Sequence, residues 1–231
     1  MLTLDGLLIR QDDFKLKAEF SVDAGARVAV IGASGAGKST LLNAIAGFLE
    51  LSAGRLLWCG EDITGKTPGE RPISMLFQDN NLFPHLTVAQ NVGLGIDPGL
   101  RLSATQKDQV TEALRRVGLD GFEARKPGQL SGGQQSRAAL ARVLVQRKPL
   151  ILLDEPFSAL GPALKAEMLD LVGELAAETH ATVLMVSHDP EDAGRFAALA
   201  VLVAEGQASA PVPVAELMAN PPEALKDYLG R

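Results

Sequence analysis

The sequence has one cysteine, Cys59. No disulfide can form within the chain, and the count suits a reducing compartment. Positive charge is in deficit, with 22 Lys+Arg against 28 Asp+Glu and a net charge of −6. That balance argues against the broad cationic surface nucleic acids require, so no nucleic-acid partner is expected. No apolar run approaches the ~18–20 residues that span a bilayer, so a membrane role has to come through a partner. The opening Met1-Leu-Thr-Leu-Asp5 lacks the basic-then-apolar pattern of a secretory signal, and none is expected. Aromatic residues make up only 4% of the chain, which points to an aliphatic core. At 231 residues and 46% hydrophobic, the chain has enough apolar material for one large domain.

Hydrophobic periodicity divides the chain into alternating elements. Leu16, Ala18, Phe20 and Val22 alternate as in a half-buried strand, and Val28–Ile31 is a short, fully apolar run suited to a parallel strand covered on both faces. Lys38–Ala46 reads as a helix with Gly47 as its stop. Ile73–Phe77, Leu150–Leu153, Thr182–Val186 and Leu199–Val203 are further apolar strands. Ser103 and Gln106 have capping-box spacing ahead of Val110, Ala113, Leu114 and Val117. Between Leu150–Leu153 and Thr182–Val186 lies a helix with Leu164, Met168, Leu171, Val172 and Leu175 on one side. Strands alternating with helices indicate an α/β domain around a mainly parallel sheet, with a mostly helical lobe over about 79–138.

Two stretches carry chemistry on their own. Gly32-Ala33-Ser34-Gly35-Ala36-Gly37-Lys38-Ser39-Thr40 matches G-x4-G-K-[ST] between a strand and a helix, the context the pattern requires. The glycines let successive N–H groups approach phosphate oxygens, and the helix N-terminus turns its positive end to the same anion. Lys38 supplies a cation at the β/γ-phosphates, and the Ser39 hydroxyl suits Mg²⁺. Asp154-Glu155 follows the strand Leu150–Leu153, at the carboxyl edge where open α/β sheets bind ligands. Asp154 is the candidate metal ligand and Glu155 the candidate general base on an attacking water. A solvated acidic turn would look the same in isolation.

A second glycine motif, Leu130-Ser131-Gly132-Gly133-Gln134, opens another helix twenty residues before Asp154. Alone it is equally an anion site or a helix cap. With the phosphate loop, Gln78 after a strand, Asp154-Glu155 and His188 in Val186-Ser-His-Asp189, it resembles the signature of ATP-binding-cassette proteins. The resemblance runs over essentially the whole chain, with the motifs in family order.

The resemblance implies a P-loop cassette with a mainly parallel core sheet, an N-terminal antiparallel β subdomain and an inserted helical lobe. It forms one domain over 1–231, with its core at about 1–78 and 139–231. It further implies ATP with Mg²⁺, the metal being held by Ser39, Asp154 and Gln78. His188 would contact the γ-phosphate, and Lys38, Gln78, Glu155 and His188 would be the catalytic set. Two cassettes would pair head to tail, so that Ser131, Gly132, Gly133 and Gln134 of one complete the nucleotide site of the other.

Two positions depart from the family pattern. Ser158-Ala-Leu-Gly161 has glycine where an aspartate usually helps couple the two sites. The usual adenine-stacking aromatic is missing from Ile9–Phe14: Gln11 takes its place, and Phe14 is either a substitute or core.

A single cassette without fused spans looks like a separate importer subunit. It would sit peripherally on the cytoplasmic face of a bacterial inner membrane, work with integral permease subunits and depend indirectly on a periplasmic solute-binding protein. Met75–Gly95, with its double Asn80-Asn81 and Gly93-Leu-Gly95 run, together with Ile96–Leu100, Ala46–Leu49 and Phe157–Leu164, is similar to the thiamine-importing branch of that family. Iron, sulfate or another small solute is the alternative cargo, and a soluble non-transport cassette ATPase is the more distant one. Leu82, Phe83, Pro84 and Leu86 either pack the helical lobe or offer a groove to a membrane subunit.

Overall fold

The computed structural model describes residues 1–229. The first three strands are β1 (Leu2–Gln11), β2 (Phe14–Val22) and β3 (Arg27–Ile31), followed by helix α1 (Lys38–Ala46). β4 (Ala53–Trp58), β5 (Glu61–Asp62) and β6 (Ile73–Leu76) lead into α2 (Val88–Gly93), α3 (Ala104–Arg116), a 3₁₀ turn at Pro127–Gln129 and α4 (Gly132–Val145). The chain continues through β7 (Leu150–Asp154), α5 (Pro162–Thr179), β8 (Thr182–Val186), α6 (Pro190–Phe196) and β9 (Leu199–Ala204). It closes with β10 (Gln207–Ala208), β11 (Val212–Pro213), α7 (Val214–Ala219) and α8 (Glu223–Leu229). Among the described residues no helix is long and apolar enough to cross a membrane.

The strands form one sheet in the order β5-β4-β1-β2-β10-β9-β3-β8-β7-β6, with β11 against β9. β9, β3, β8, β7 and β6 are mutually parallel, and β1, β2, β4 and β5 make the antiparallel part. The fold is thus mixed α/β, with the parallel core sheet and the N-terminal antiparallel part that the sequence leads one to expect.

The fully apolar central strands are explained by the two cores they separate. Side chains alternate across a strand. Val28 and Val30, Leu150 and Leu152, and Leu184 and Val186 therefore enter one core, shared with β1, β2 and α1. Ala29 and Ile31, Ile151 and Leu153, and Val183 and Met185 enter the other, built by α3, α4, α5 and α6. A strand serving two cores has no polar face, which is why these runs lack alternation.

Helix α1, which follows the phosphate loop, ends at Gly47 in a left-handed cap. Arg71 secures that end. Its side chain is buried, and Nη1 donates to the carbonyls of Ala44 (2.9 Å) and Ile45 (2.6 Å). A guanidinium at a helix C-terminus satisfies orphan carbonyls and complements the dipole. Nothing local in the sequence points to Arg71, which lies 26 residues from Ile45.

Candidate nucleotide site

The candidate residues lie at the carboxyl edge of the parallel strands. The phosphate loop leaves β3, Asp154 ends β7, His188 follows β8, and Gln78 stands two residues beyond β6. Parallel register aligns these exits, since Leu76 pairs with Leu153 and Asp154 with Val186. Gln78 is exposed. It was expected at a strand end and lies just past one.

The loop's glycines hold left-handed backbone, with φ of 149° at Gly32, 77° at Gly35 and 105° at Gly37, conformations that disfavour a Cβ. At Gly37 the ring of Phe14 also lies 2.5 Å from where a Cβ would stand. Phe14 is half-buried and packs against the core beneath the loop, while Gln11 is exposed. Lys38 folds back over the loop: Nζ donates to the carbonyls of Gly32 (2.8 Å) and Ala33 (2.9 Å). Burial lowers its pKa, opposed by the nearby carboxylates of Glu155 and Asp154.

Ser39 Oγ donates to Asp154 Oδ1 at 3.0 Å, across 115 residues of sequence. A hydroxyl and a carboxylate aimed at one point are hard oxygen donors of the kind Mg²⁺ takes, usually with phosphate oxygens and waters as its other ligands. The donor set therefore fits the metal. Asp154 is buried. Burial is the main reason its pKa is raised, and the Glu155 charge adds to it; the Ser39 hydrogen bond and Lys38 oppose.

A raised carboxyl pKa means the folded state holds its proton to higher pH than the unfolded chain. Stability in the absence of ligand therefore falls as pH rises through that interval, and the deficit persists at neutral pH. Asp154→Asn is expected to melt higher than the parent at pH 7 without nucleotide, by about 2–4 °C for each kcal/mol relieved. It is also expected to lose the stabilisation that Mg-ATP gives. Thermal melts with and without Mg-ATP check both, and a variant that melts lower in both conditions contradicts the burial argument.

Glu155 adopts φ 45°, a left-handed conformation uncommon for a non-glycine residue. Its N–H donates to the Val186 carbonyl at 3.2 Å. Strained backbone of this kind persists only where its surroundings hold it, and it clusters at functional sites. His188 Nδ1 lies 3.3 Å from Glu155 Oε2. The sequence nominates both residues but not their contact, which depends on β7 and β8 being neighbours.

The loop bearing His188 is fastened to α5. Lys165 Nζ reaches Asp189 Oδ2 (3.2 Å) and Asp192 Oδ2 (2.5 Å), and Ser187 Oγ donates to Asp192 Oδ2 (2.9 Å). Gly161 N-caps α5 without a side-chain bond.

Ser131 caps α4: its Oγ accepts from the Gln134 N–H (3.3 Å), and Gln134 Oε1 accepts from the Ser131 N–H (2.9 Å). The cap leaves the hydroxyl proton of Ser131 available to an anion. Among the described residues no hydrogen bond joins residues 131–134 to residues 32–40 of the same chain.

The ABC transporter family model matches residues 16–158, which take in the phosphate loop, Ser131–Gln134 and Asp154-Glu155. The chain belongs to the ABC transporter family. ATP is accordingly its nucleotide. The chain is 64% identical over 230 residues to the "Thiamine import ATP-binding protein ThiQ" of Cereibacter sphaeroides, covering 100% of both chains. It is 63% identical, with the same coverage, to the protein of that name from a Ruegeria species. A solved ABC cassette, the dimeric MJ0796 in a post-hydrolysis state bound to ADP and Pi, superposes with a TM-score of 0.83 at 29% identity. That match covers 93% of this chain and 99% of the other.

Proposed function

We propose that this chain is the ATP-hydrolysing subunit that energises thiamine import through separate membrane subunits. The observation that carries the cargo is whole-length identity of 63–64% to two proteins named for thiamine import. No residue of a cassette touches the cargo, so kinship rather than site chemistry supports that part of the reading.

In this reading the loop 32–40 cradles the phosphates, and Lys38 neutralises β/γ charge. Ser39 and Asp154 would hold Mg²⁺, joined by Gln78 from two residues beyond β6. Mg²⁺, when bound, would neutralise charge on the phosphates. Glu155 takes the proton of the attacking water. His188 stands beside Glu155, with Nδ1 3.3 Å from Oε2, and its ring would contact a γ-phosphate oxygen. Catalysis is positioning and electrostatic stabilisation, with no covalent intermediate.

Ser131 and Gly133 of a second copy complete the site, in keeping with the dimeric cassette whose fold this chain shares. Residues of about 1–78 and 139–231 serve as the nucleotide-binding core and about 79–138 as the signature-bearing lobe; residues 230–231 lie outside the described residues. The subunit works peripherally at the cytoplasmic face of the membrane, where a periplasmic binding protein acts on it indirectly through the permease. Leu82 is half-buried against the lobe's core, whereas Phe83 is 46% exposed. Of the four apolar residues at 82–86, Phe83 is thus the better contact for a permease helix, and Leu82 is lobe packing.

The test is ATPase activity of the complex assembled in vesicles. Binding protein loaded with thiamine is expected to stimulate turnover, and the same protein without thiamine is not. Equal stimulation by a sulfate- or iron-binding protein would overturn thiamine as the cargo.

A further inference from the structure

The Asn80-Asn81 turn and Gly95 of the Gly93-Leu94-Gly95 run have no part in the nucleotide site, yet both meet one residue of the signature helix, Arg142. Asn80 and Asn81 are consecutive left-handed residues, with φ of 58° and 46°. Asparagine tolerates that conformation better than most side chains. They form a tight turn directly after Gln78, in which the Asn80 N–H donates to the Phe77 carbonyl (3.0 Å) and the Asn81 N–H to the Asp79 carbonyl (2.6 Å).

Arg142 reads the carbonyls of this turn. Its Nη2 donates to Asn80 O and its Nη1 to Asn81 O, both at 2.8 Å. Burial lowers the pKa of Arg142, with no carboxylate among the causes. A guanidinium withdrawn from water without an opposing charge depends on hydrogen bonds of this kind. Its planar fork suits two oxygens presented side by side.

The same helix touches the neighbouring segments at two more points. A Cβ on Gly95 would collide with the carbonyl oxygen of Arg142 and stand 2.8 Å from Val145 Cγ2, so the turn after α2 rests directly on the α4 backbone. Ser74, buried in β6, donates to Gln146 Oε1 at 2.8 Å, at the C-cap of α4. Gln78 therefore sits between two anchors on one end of α4, Ser74 before it and Asn80-Asn81 after it. At the other end of that helix, about 15 Å from Arg142 at 1.5 Å per residue, is the signature turn Ser131–Gly133.

We propose that Arg142 is a positioning residue that fastens the left-handed turn after Gln78 to the signature helix, so that Gln78 and Ser131–Gly133 shift together when residues 79–95 are displaced. The consequence for transport rests on the proposed docking of a permease helix at Phe83; the clamp itself does not.

Arg142→Ala is tested first in the purified chain by amide hydrogen exchange. Exchange at Asn80 and Asn81 is expected to rise about 10–100-fold as both hydrogen bonds from the guanidinium are lost, with amides of β3 and β7 within about twofold of the parent. Unchanged exchange at Asn80 and Asn81 overturns the clamp.

In the complex assembled in vesicles, stimulation by thiamine-loaded binding protein is expected to fall about tenfold or more. Basal turnover of the isolated chain and its KM for ATP should stay within about twofold, a coupling loss in the ordinary range. Stimulation that survives, or basal and stimulated rates that fall together, overturns the positioning role. If the parent complex shows no stimulation, the transport reading fails while the exchange result still decides the clamp.

Asn81→Val, whose β-branched side chain opposes the left-handed conformation, leaves α4 untouched and is expected to reproduce the loss. Asn81→Gly is expected to retain stimulation. The double variant Arg142→Ala/Asn81→Val should be no worse than either single change, since both remove one interaction. Additive losses count against a shared clamp.

Discussion

Glu155→Gln is expected to lower ATP turnover by about 10²–10⁴-fold while leaving ATP binding intact. The amide keeps the shape and hydrogen-bonding reach of the carboxylate, and the left-handed backbone at residue 155 is no more strained by Gln than by Glu. What disappears is the ability to accept a proton from water. Lys38, Ser39 and Asp154 are untouched, so the phosphates are still held. With hydrolysis blocked, ATP stays between two copies of the chain. The variant is therefore expected to run as a dimer in the presence of ATP and as the lighter species after the nucleotide is removed. Turnover measured by phosphate release and mass measured by light scattering check the two halves separately. Near-parental turnover would remove Glu155 from the role of base, and loss of ATP binding would show that the substitution disturbed more than the proton transfer.

The second large effect concerns composition of the site by two copies. Lys38→Ala removes the cation from the phosphate loop, and Ser131→Arg blocks the signature turn with a bulky side chain. Each variant alone is expected to be almost inactive, because every site in its dimer carries the defect. An equimolar mixture is expected to recover about one quarter of parental turnover. Random pairing makes half of the dimers mixed, and each mixed dimer has one site with an intact loop facing an intact signature. A site built within one chain predicts no recovery at any ratio. The dimeric cassette whose fold this chain shares favours the shared arrangement. Recovery that depends on total protein concentration would separate true mixing from residual activity of either variant.

Much of the central sheet was legible because two-core strands leave an unmistakable apolar run. β3, β7, β8 and β9 and helices α1 and α3 lie within a residue or two of their expected bounds, and the Ser103–Gln106 capping box is formed through both of its hydrogen bonds. β1 was not read as a strand, for a physical reason. Leu2 and Leu4 alternate, but the pairing register shifts between Leu4 and Leu7, which puts Leu7 and Ile9 out of phase. β4 lies near the sheet margin and buries only Leu56 fully, so its pattern is faint.

Helix α6 did leave a signal. Asp189 before Pro190 is a cap followed by proline at the first helical position, and Asp189 Oδ1 accepts from the Glu191 N–H at 2.9 Å.

The candidate nucleotide site is nominated in the sequence as a set of residue types and spacings. Its contacts were not. Ser39 with Asp154, Glu155 with His188, and Arg142 with Asn80-Asn81 each join residues from separate elements, and only the sheet order and helix packing bring them together. Asn80-Asn81 and the Gly93-Leu-Gly95 run stood out as unusual, but only the structure gave them a common partner.

Lys38 adds a consequence for how the nucleotide is met. An ammonium has three protons, and two of them are already committed to the Gly32 and Ala33 carbonyls. The side chain's torsional freedom is therefore surrendered when the chain folds and not when ATP arrives. The incoming phosphate finds a cation with one proton left to give and a fixed direction in which to give it. In that sense the loop is a template cast before its ligand, and part of ATP's affinity is stored in the folded chain.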